Sequence, residues 1–268
     1  MRSKKVKPVV HFAPQYFIDS PHPITIALIG CGGTGSLILP RLARLDYALR
    51  QFGRAGLMVT VYDGDKVEEH NQGRQNFVES DVAKFKAAVL VEKVNVAFGL
   101  QWECVNKYVK PDKKMPLANI IITCVDNALF RMEMHRCLQK RGSGFERDFK
   151  KLYYWMDAGN GKDFGQVVLS TVDHIDQPDN KKYTTVDFLP SVVDRYGDLV
   201  EHDNKKTQGM DSCSFVESIM QQDLFINDAI AVQACQLLWR LLKDYNIGMP
   251  GVIINQAAGQ QRPLSLKR

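Results

Sequence analysis

The chain has 268 residues, of which 45% are hydrophobic and 24% are charged, a composition that is ordinary for a globular protein and excludes global disorder. Its formal net charge of +5 excludes an acidic-tail protein and is too small and too scattered to indicate nucleic-acid binding. The longest apolar stretches, such as 117–125, are shorter than the ~20 residues that span a bilayer. No apolar signal-peptide core follows the basic residues 2–7, so we expect a cytoplasmic protein without a membrane partner.

The first half of the chain alternates apolar strands with helices. After a polar lead-in at 1–23, the β-branched run Ile24–Ile29 predicts a buried parallel strand. Apolar residues at helical spacing over 37–52 predict a helix, and 57–62 predict a second strand. The other predicted elements of this half are a polar loop at 64–80, a helix at 81–97, strands at 102–109 and 119–125, and a helix at 128–141.

The second half continues with strands at 152–156 and 165–172, separated by a turn at 157–163. Residues 173–211 are polar and irregular, which is typical of a functional or disordered loop. A helix is predicted over 214–245, a strand at 251–255 and a frayed tail at 263–268. The alternation predicts an α/β fold that is Rossmann-like and doubly wound, with a mainly parallel sheet, helices on both faces, C-terminal strands and one long loop.

A glycine-rich segment follows the first strand directly and opens a helix, in the order Gly30-x-Gly32-x-x-Gly35. In such a loop the first glycine allows a tight turn, the second lets the backbone approach a phosphate, and the third lets helix and strand pack closely. The helix N-terminus adds N–H groups and a positive partial charge. The segment therefore predicts a nucleotide site, with a glycine-rich packing turn as the alternative.

The second predicted strand ends at Asp63, where a carboxylate accepts hydrogen bonds from ribose hydroxyls. Asp63 lies 33 residues after Gly30, which is later than the spacing of about 20 residues in dehydrogenases. The longer crossover disfavours an ordinary nicotinamide enzyme. A turn or helix-capping aspartate is the alternative.

Four motifs in one order resemble the ThiF/MoeB/HesA family, the prokaryotic relatives of ubiquitin-activating enzymes. Residues 30–35 match the family's G-x-G-G-x-G, which includes Gly33, and 62–75 contain its D-x-D-x-V-x-x-x-N-x-x-R-Q. Residues 81–86 resemble its D-x-G-x-x-K, with Ala83 in place of the glycine, and 123–131 resemble its D-N-x-x-x-R. The resemblance extends to Ser212-Cys213 and to 231–242. Residues 157–161 and 164–168 are similar to the variant found in bacterial, mobile-element-associated PRTRC gene cassettes.

The resemblance implies ATP-dependent adenylation. The C-terminal carboxylate of a ubiquitin-like partner, carried on a glycine tail, would attack the α-phosphate of MgATP and give an acyl adenylate and pyrophosphate. Such a transfer depends on positioning and on positive charge near the phosphates. The implied sites are Asp63 for the ribose, Asn71, Arg74 and Lys86 for the phosphates, Asp126 for Mg²⁺, and Asp65 and Gln75 in support.

Each of these residues has a structural alternative. Arg74 and Lys86 could be solvated surface charges, Asp126 could cap the following helix, and Gln75 could be a packing residue. Lys84 competes with Lys86, although the motif spacing favours Lys86.

The cysteines raise a separate question. In some relatives a cysteine on a mobile crossover takes the acyl group, and Cys213 has the matching position. The alternative is a passive cysteine, since some relatives only adenylate. Cys31 and Cys124 are interpreted as structural. Many relatives hold zinc with two CxxC pairs, which this sequence lacks, so no zinc is expected.

The resemblance also implies a homodimer, in which Arg2 of one subunit is a candidate for reaching the triphosphate of the other. It divides the chain into a lead-in (1–23), a nucleotide-binding adenylation core (24–172), a crossover loop (173–213) and a C-terminal helix and strand that complete the same domain (214–268). Two rival functions stay open, a non-catalytic nucleotide-bound scaffold and an NAD(P)-dependent oxidoreductase.

Overall fold

The computed structural model describes residues 7–111, 115–140, 148–197 and 223–266. Its strands are β1 (Val9–Phe12), β2 (Ile24–Ile29), β3 (Leu57–Tyr62), β4 (Glu103–Val105), β5 (Ile120–Thr123), β6 (Tyr154–Asn160), β7 (Phe164–Thr171), β8 (Thr184–Thr185), β9 (Asn246–Ile247), β10 (Gly251–Asn255) and β11 (Gln260–Pro263). Its α-helices with both ends described are α1 (Gln15–Asp19), α2 (Gly33–Gln51), α3 (Lys86–Phe98), α4 (Ala128–Lys140) and α5 (Ile226–Lys243).

Within these ranges the main sheet has eight strands in the order β11-β10-β7-β6-β5-β2-β3-β4. The five strands from β6 to β4 run parallel to their neighbours, and β7, β10 and β11 extend the sheet in antiparallel pairs. A small second sheet pairs β1 with β8 and β9. The predicted α/β class with a mainly parallel sheet is confirmed.

Strand β2 lies at the centre of the parallel part and is covered on both faces. Ile26 and Leu28 pack in the cluster that contains α2, α3 and α5, whereas Ala27 and Ile29 pack with residues of α4. Burial on both faces explains why this strand has a continuous apolar run instead of an alternating pattern. The same arrangement places helices on both sides of the sheet.

Several boundaries differ from the sequence pattern. Helix α3 begins at Lys86 instead of residue 81, because the preceding residues form a 3-10 turn and then a bend in which Ala83 has φ +68°. Strand β6 continues through 157–160, which the pattern assigned to a turn. The strand predicted over 102–109 is confined to Glu103–Val105. The lead-in contains β1 and α1, and the predicted tail begins with Pro263, the last residue of β11, after which Leu264 is buried.

The described part of the long polar segment, 173–197, is more ordered than its composition indicated. It contains β8 and a helical stretch at 192–197. Its residues 198–211 lie outside the described ranges, as do 214–222 of the predicted C-terminal helix. In the described remainder of that prediction, the helix α5 begins only at Ile226 and ends at Lys243. No helix among the described residues is both long enough and apolar enough to cross a bilayer.

Candidate active site

The glycine loop connects β2 to α2, and its glycines are needed for different reasons. Gly30 has φ +91°, and a Cβ there would lie 2.6 Å from the carbonyl oxygen of Cys124. A Cβ on Gly35 would lie 1.9 Å from the carbonyl oxygen of Gly30, so helix and strand approach too closely for any side chain. Gly32 has open space beside it, which leaves room for a ligand near the N-terminus of α2.

A cavity of 570 Å³ lies at this loop, where the parallel strands β2, β3 and β5 end. Ligands of open α/β sheets bind at this edge. The predicted site residues that line the cavity are Gly30, Gly32, Gly33, Asp63, Asp65, Arg74, Gln75, Lys86 and Asp126. Gly35 and Asn71 are not part of the lining, and Cys213 and Arg2 lie outside the described residues.

Asp63 joins the end of β3 to the glycine loop. Its Oδ2 accepts the N–H of Cys31 at 2.5 Å, and its Oδ1 accepts the N–H of Asp65 at 2.7 Å. Burial raises the pKa of this carboxyl, although the two N–H bonds oppose that shift. Asp63 therefore fixes the geometry of the loop through contacts within the protein.

Asp65 is the partner of Lys86. The Lys86 ammonium lies 3.2 Å from Oδ2 of Asp65, and the Lys86 N–H donates to the Asp65 carbonyl oxygen at 3.0 Å. The Tyr108 hydroxyl donates to Oδ1 of Asp65, which raises the pKa of Tyr108 to about 12. Burial alone would raise the pKa of Asp65, but the Tyr108 hydrogen bond and the Lys86 charge lower it. Lys84, in contrast, is exposed and away from the lining.

Asn71 lies behind the cavity wall. It is buried, its Oδ1 accepts the N–H of Glu68 at 2.9 Å, and its carbonyl oxygen accepts the N–H of Gln75 at 3.0 Å. These bonds shape the turn that brings Arg74 and Gln75 to the cavity. Asn71 thus supports the neighbouring residues, and the phosphate contact that the motif implied for it stays a prediction.

Asp126 is presented by the loop between β5 and α4, and Arg131 holds this loop. The Arg131 Nη2 donates to the carbonyl oxygen of Val125 at 2.6 Å, and its Nε donates to Oδ1 of Asp157 at 2.9 Å. The hydroxyl of Thr123 donates to the same Asp157 oxygen at 3.0 Å. Because Asp157 has these partners, its carboxylate is tolerated inside β6 at 1% exposure.

The lining also contains residues that the sequence interpretation missed. They are chiefly Tyr62, Tyr108, Lys110, Asn160 and Asn227. Asn227 had a readable signal, because it extends the buried stripe of α5 through Ile230 and Ala234 and a polar residue at such a position needs a partner. No sequence signal marked Tyr108 as a site residue, because its contact with Asp65 joins two separate loops.

The carboxylates that line the cavity suit a single hard cation such as Mg²⁺. Among the described residues no group of three or more His, Cys, Asp or Glu side chains is placed to hold a metal ion. Mg²⁺ in phosphate sites needs only one or two carboxylates, because phosphate oxygens and water complete its coordination. Asp126 is an exposed carboxylate on the cavity wall, and it therefore suits this type of binding.

The thiols next to the cavity are poor nucleophiles. Burial, followed by the nearby Asp63 carboxylate, raises the pKa of Cys31 well above its usual range. Burial also raises the pKa of Cys124. Because the thiolate is the reactive form, both cysteines suit a structural role.

The fold and the site define a class, the doubly wound α/β proteins with a glycine loop at the carboxyl edge of a parallel sheet. Residues 20–159, more than half of the chain, match the model of the ThiF family. The chain therefore belongs to the ThiF family.

Solved structures share this fold at low sequence identity. E. coli MccB with ATP superimposes with a TM-score of 0.60 at 15% identity, over 91% of this chain and 64% of MccB. MccB, described as a microcin C7 biosynthetic enzyme, in complex with N-formylated MccA gives 0.54 and 15%, over 91% and 65%. PaaA gives 0.58 and 12%, over 91% and 64%. The chain thus spans less than two thirds of the length of these proteins. No curated protein matches the sequence.

Proposed function

We propose that the protein activates a carboxylate by ATP-dependent adenylation. In this reaction a carboxylate oxygen forms a bond to the α-phosphorus of ATP, the bond from that phosphorus to the bridging oxygen breaks, and pyrophosphate leaves with the electron pair. The observation that carries the proposal is the convergence of Asp63, Arg74, Lys86 and Asp126 on one cavity at the glycine loop. Family membership and the fold shared with ATP-bound MccB support it.

Each side chain has a task that its surroundings favour. Asp63 would bind the ribose hydroxyls with oxygen lone pairs that its two N–H bonds leave available. Arg74 and Lys86 would neutralise phosphate charge that grows during the transfer. Asp65 holds the Lys86 ammonium in place. Asp126 would hold Mg²⁺, which supplies charge neutralisation on the phosphates when bound.

The acyl donor that we favour is the C-terminal glycine tail of a ubiquitin-like protein. The motif resemblance supports this choice. The cavity also reaches the protein surface at Tyr108, whose exposed side chain is part of its lining. MccB has been solved with MccA, so an acyl donor that resembles MccA is the main alternative to a ubiquitin-like protein. The same proposal has four further parts. It assigns the protein to the PRTRC subtype and to a reducing cytoplasm. It also includes a homodimer in which Arg2 acts in trans, and transfer of the acyl group to Cys213.

Partner-dependent exchange of labelled pyrophosphate into ATP tests the reaction. We expect exchange only when the cognate ubiquitin-like protein is added, and we expect Asp126→Ala to abolish it while the protein stays folded. Asp179→Ala, which removes an exposed carboxylate away from the cavity, is the control and should exchange normally. Absence of exchange with the cognate partner, combined with tight NADH binding and no ATP binding, would contradict the proposal and favour an oxidoreductase.

Two further measurements refine the proposal. ATP binding without exchange would favour a nucleotide-bound scaffold. Mass spectrometry of a co-purified partner would identify its C-terminus and so distinguish a glycine tail from another carboxylate.

A further inference from the structure

The start of α5 places a buried amide against the glycine loop. Asn227 is 1% exposed, and its Oδ1 accepts a hydrogen bond from the Thr34 hydroxyl at 2.9 Å. A Cβ on Gly33 would lie 2.6 Å from the amide atoms of Asn227. The missing side chain of Gly33 is therefore what admits this amide, and the C-terminal helix contributes to a cavity whose other predicted lining residues lie between Gly30 and Asp126.

The nitrogen of this amide has no acceptor among the residues that the structure describes. Within those ranges Nδ2 of Asn227 is buried without a hydrogen-bond partner, and Asn227 borders the cavity. Buried N–H donors in folded proteins are nearly always paired. The simplest partner for Nδ2 of Asn227 is a hydrogen-bond acceptor on a bound ligand.

The surroundings select an anionic acceptor. The N-terminus of α2 begins at Gly33 and directs unpaired N–H groups and a positive partial charge toward the loop. Arg74 and Lys86 line the same cavity. The amide donor thus lies beside a helix N-terminus and two cations. Such a site favours a phosphate oxygen and disfavours a cationic or purely apolar ligand.

We propose that Nδ2 of Asn227 donates a hydrogen bond to a phosphate oxygen of the bound nucleotide. This inference rests on the proposed function, since it assumes that the cavity binds ATP. The Thr34 hydroxyl fixes the amide orientation by donating to Oδ1. A bound phosphate selects the same orientation, because a reversed amide would set its carbonyl oxygen against the anion.

The test compares ligands that differ only in their phosphates. Adenosine, AMP and ATP are titrated against the full-length wild type and against Asn227→Leu, which has a similar volume but no donor. Loss of a hydrogen bond to a charged group should weaken ATP binding about tenfold to a hundredfold, whereas adenosine binding should not change. Asn227→Asp should weaken ATP binding further, because its carboxylate would face the phosphate. Gln233→Leu, an amide on the same helix that donates to Gln261, is the matched control and should bind all three ligands normally.

Two outcomes would overturn the inference. Equal losses for adenosine and ATP would show a packing role, and unchanged ATP binding would show that water satisfies the amide. In both cases ATP binding by the wild type leaves the proposed function standing, whereas a wild type that binds no adenine nucleotide removes both. Thermal unfolding monitors each variant, and Asn227→Ala, which avoids overpacking, provides the same comparison if Asn227→Leu fails to fold.

Discussion

The Asp63 carboxylate accepts the backbone N–H of Cys31 at 2.5 Å. This contact joins the end of β3 to the glycine loop, two segments that are separated by the whole of α2. A residue whose position in the motif implies ribose binding is therefore also part of the scaffold. Its substitution is expected to change stability as well as affinity.

For Asp63→Ala we expect two N–H groups, those of Cys31 and Asp65, to lose their acceptors. The free energy of unfolding should fall by about 1–3 kcal/mol, and ATP binding should weaken. Urea denaturation and calorimetry measure the two effects. A stability equal to that of Asp179→Ala would contradict the assigned contact.

Lys86 and Lys84 form a natural pair of test positions within one motif. Lys86→Ala should reduce pyrophosphate exchange by about 10²–10³-fold, the typical loss for a preorganised group that stabilises developing charge. Lys84→Ala should leave exchange unchanged, because its side chain is exposed and away from the cavity. Similar rates for the two variants would show that the cavity is not the reaction site.

Arg131→Met should be strongly destabilising, since it leaves the Asp157 carboxylate buried without its cation. Breaking one side of a buried ion pair costs about 3–5 kcal/mol. Arg136→Met is the control, because Arg136 lies on the same helix and is exposed. Adding Asp157→Asn to Arg131→Met should recover part of the loss in chemical denaturation. If the single and double variants were equally unstable, Asp157 would not be the cause.

Ala83→Gly should stabilise the protein. Ala83 has φ +68°, and the left-handed region costs a residue with a Cβ about 1–2 kcal/mol. The backbone conformation itself is held by an N–H bond to the carbonyl oxygen of Val67 at 2.9 Å. Ala88→Gly, inside α3, should instead lower the free energy of unfolding by about 0.5–1 kcal/mol. A decrease in melting temperature for both glycines would contradict this interpretation.

Acid should destabilise the protein partly through His11. Its Nδ1–H donates to the carbonyl oxygen of Val186 at 2.7 Å, so Nε2 accepts from the Tyr154 hydroxyl at 2.9 Å. Burial lowers the pKa of His11 below 6.5, so the unfolded chain binds its proton at higher pH than the folded one. The stabilising contribution is complete above pH 6.5 and is lost as the pH falls through the folded pKa.

Urea denaturation between pH 5 and 8 measures this effect. His11→Gln should show a weaker decline below pH 6.5 than the wild type, and His22→Gln, at an exposed histidine, should decline as the wild type does. Parallel curves for all three proteins would exclude His11 as the source.

The parts of the fold that the sequence predicted are those governed by local rules. The apolar run of β2, the glycine loop and the acidic residue that ends β3 depend on neighbours in sequence, and the structure has all three where the pattern placed them. The start of α3 was misplaced, because Ala83 adopts a backbone conformation that its residue type disfavours.

The rest depends on contacts between distant segments. Asp157 was assigned to the turn at 157–163, whereas it lies inside β6, where the approach of Arg131 makes its burial tolerable. The Thr34–Asn227 hydrogen bond joins residues 193 positions apart. No local pattern records such a pairing, and the same is true of the contact between Tyr108 and Asp65.

The packing of α5 on α2 also has a consequence for biosynthesis. Ile230 and Ala234 are fully buried in the cluster that contains α2, and Asn227 contacts the first turn of that helix at Gly33 and Thr34. A nascent chain that has left the ribosome only as far as residue 159 carries the whole region that matches the family, yet it leaves one face of α2 uncovered. The region that matches the family therefore relies on α5 to bury this face of α2. The cavity at the glycine loop likewise has its full described lining only after α5 has been synthesised, because Asn227 is part of that lining.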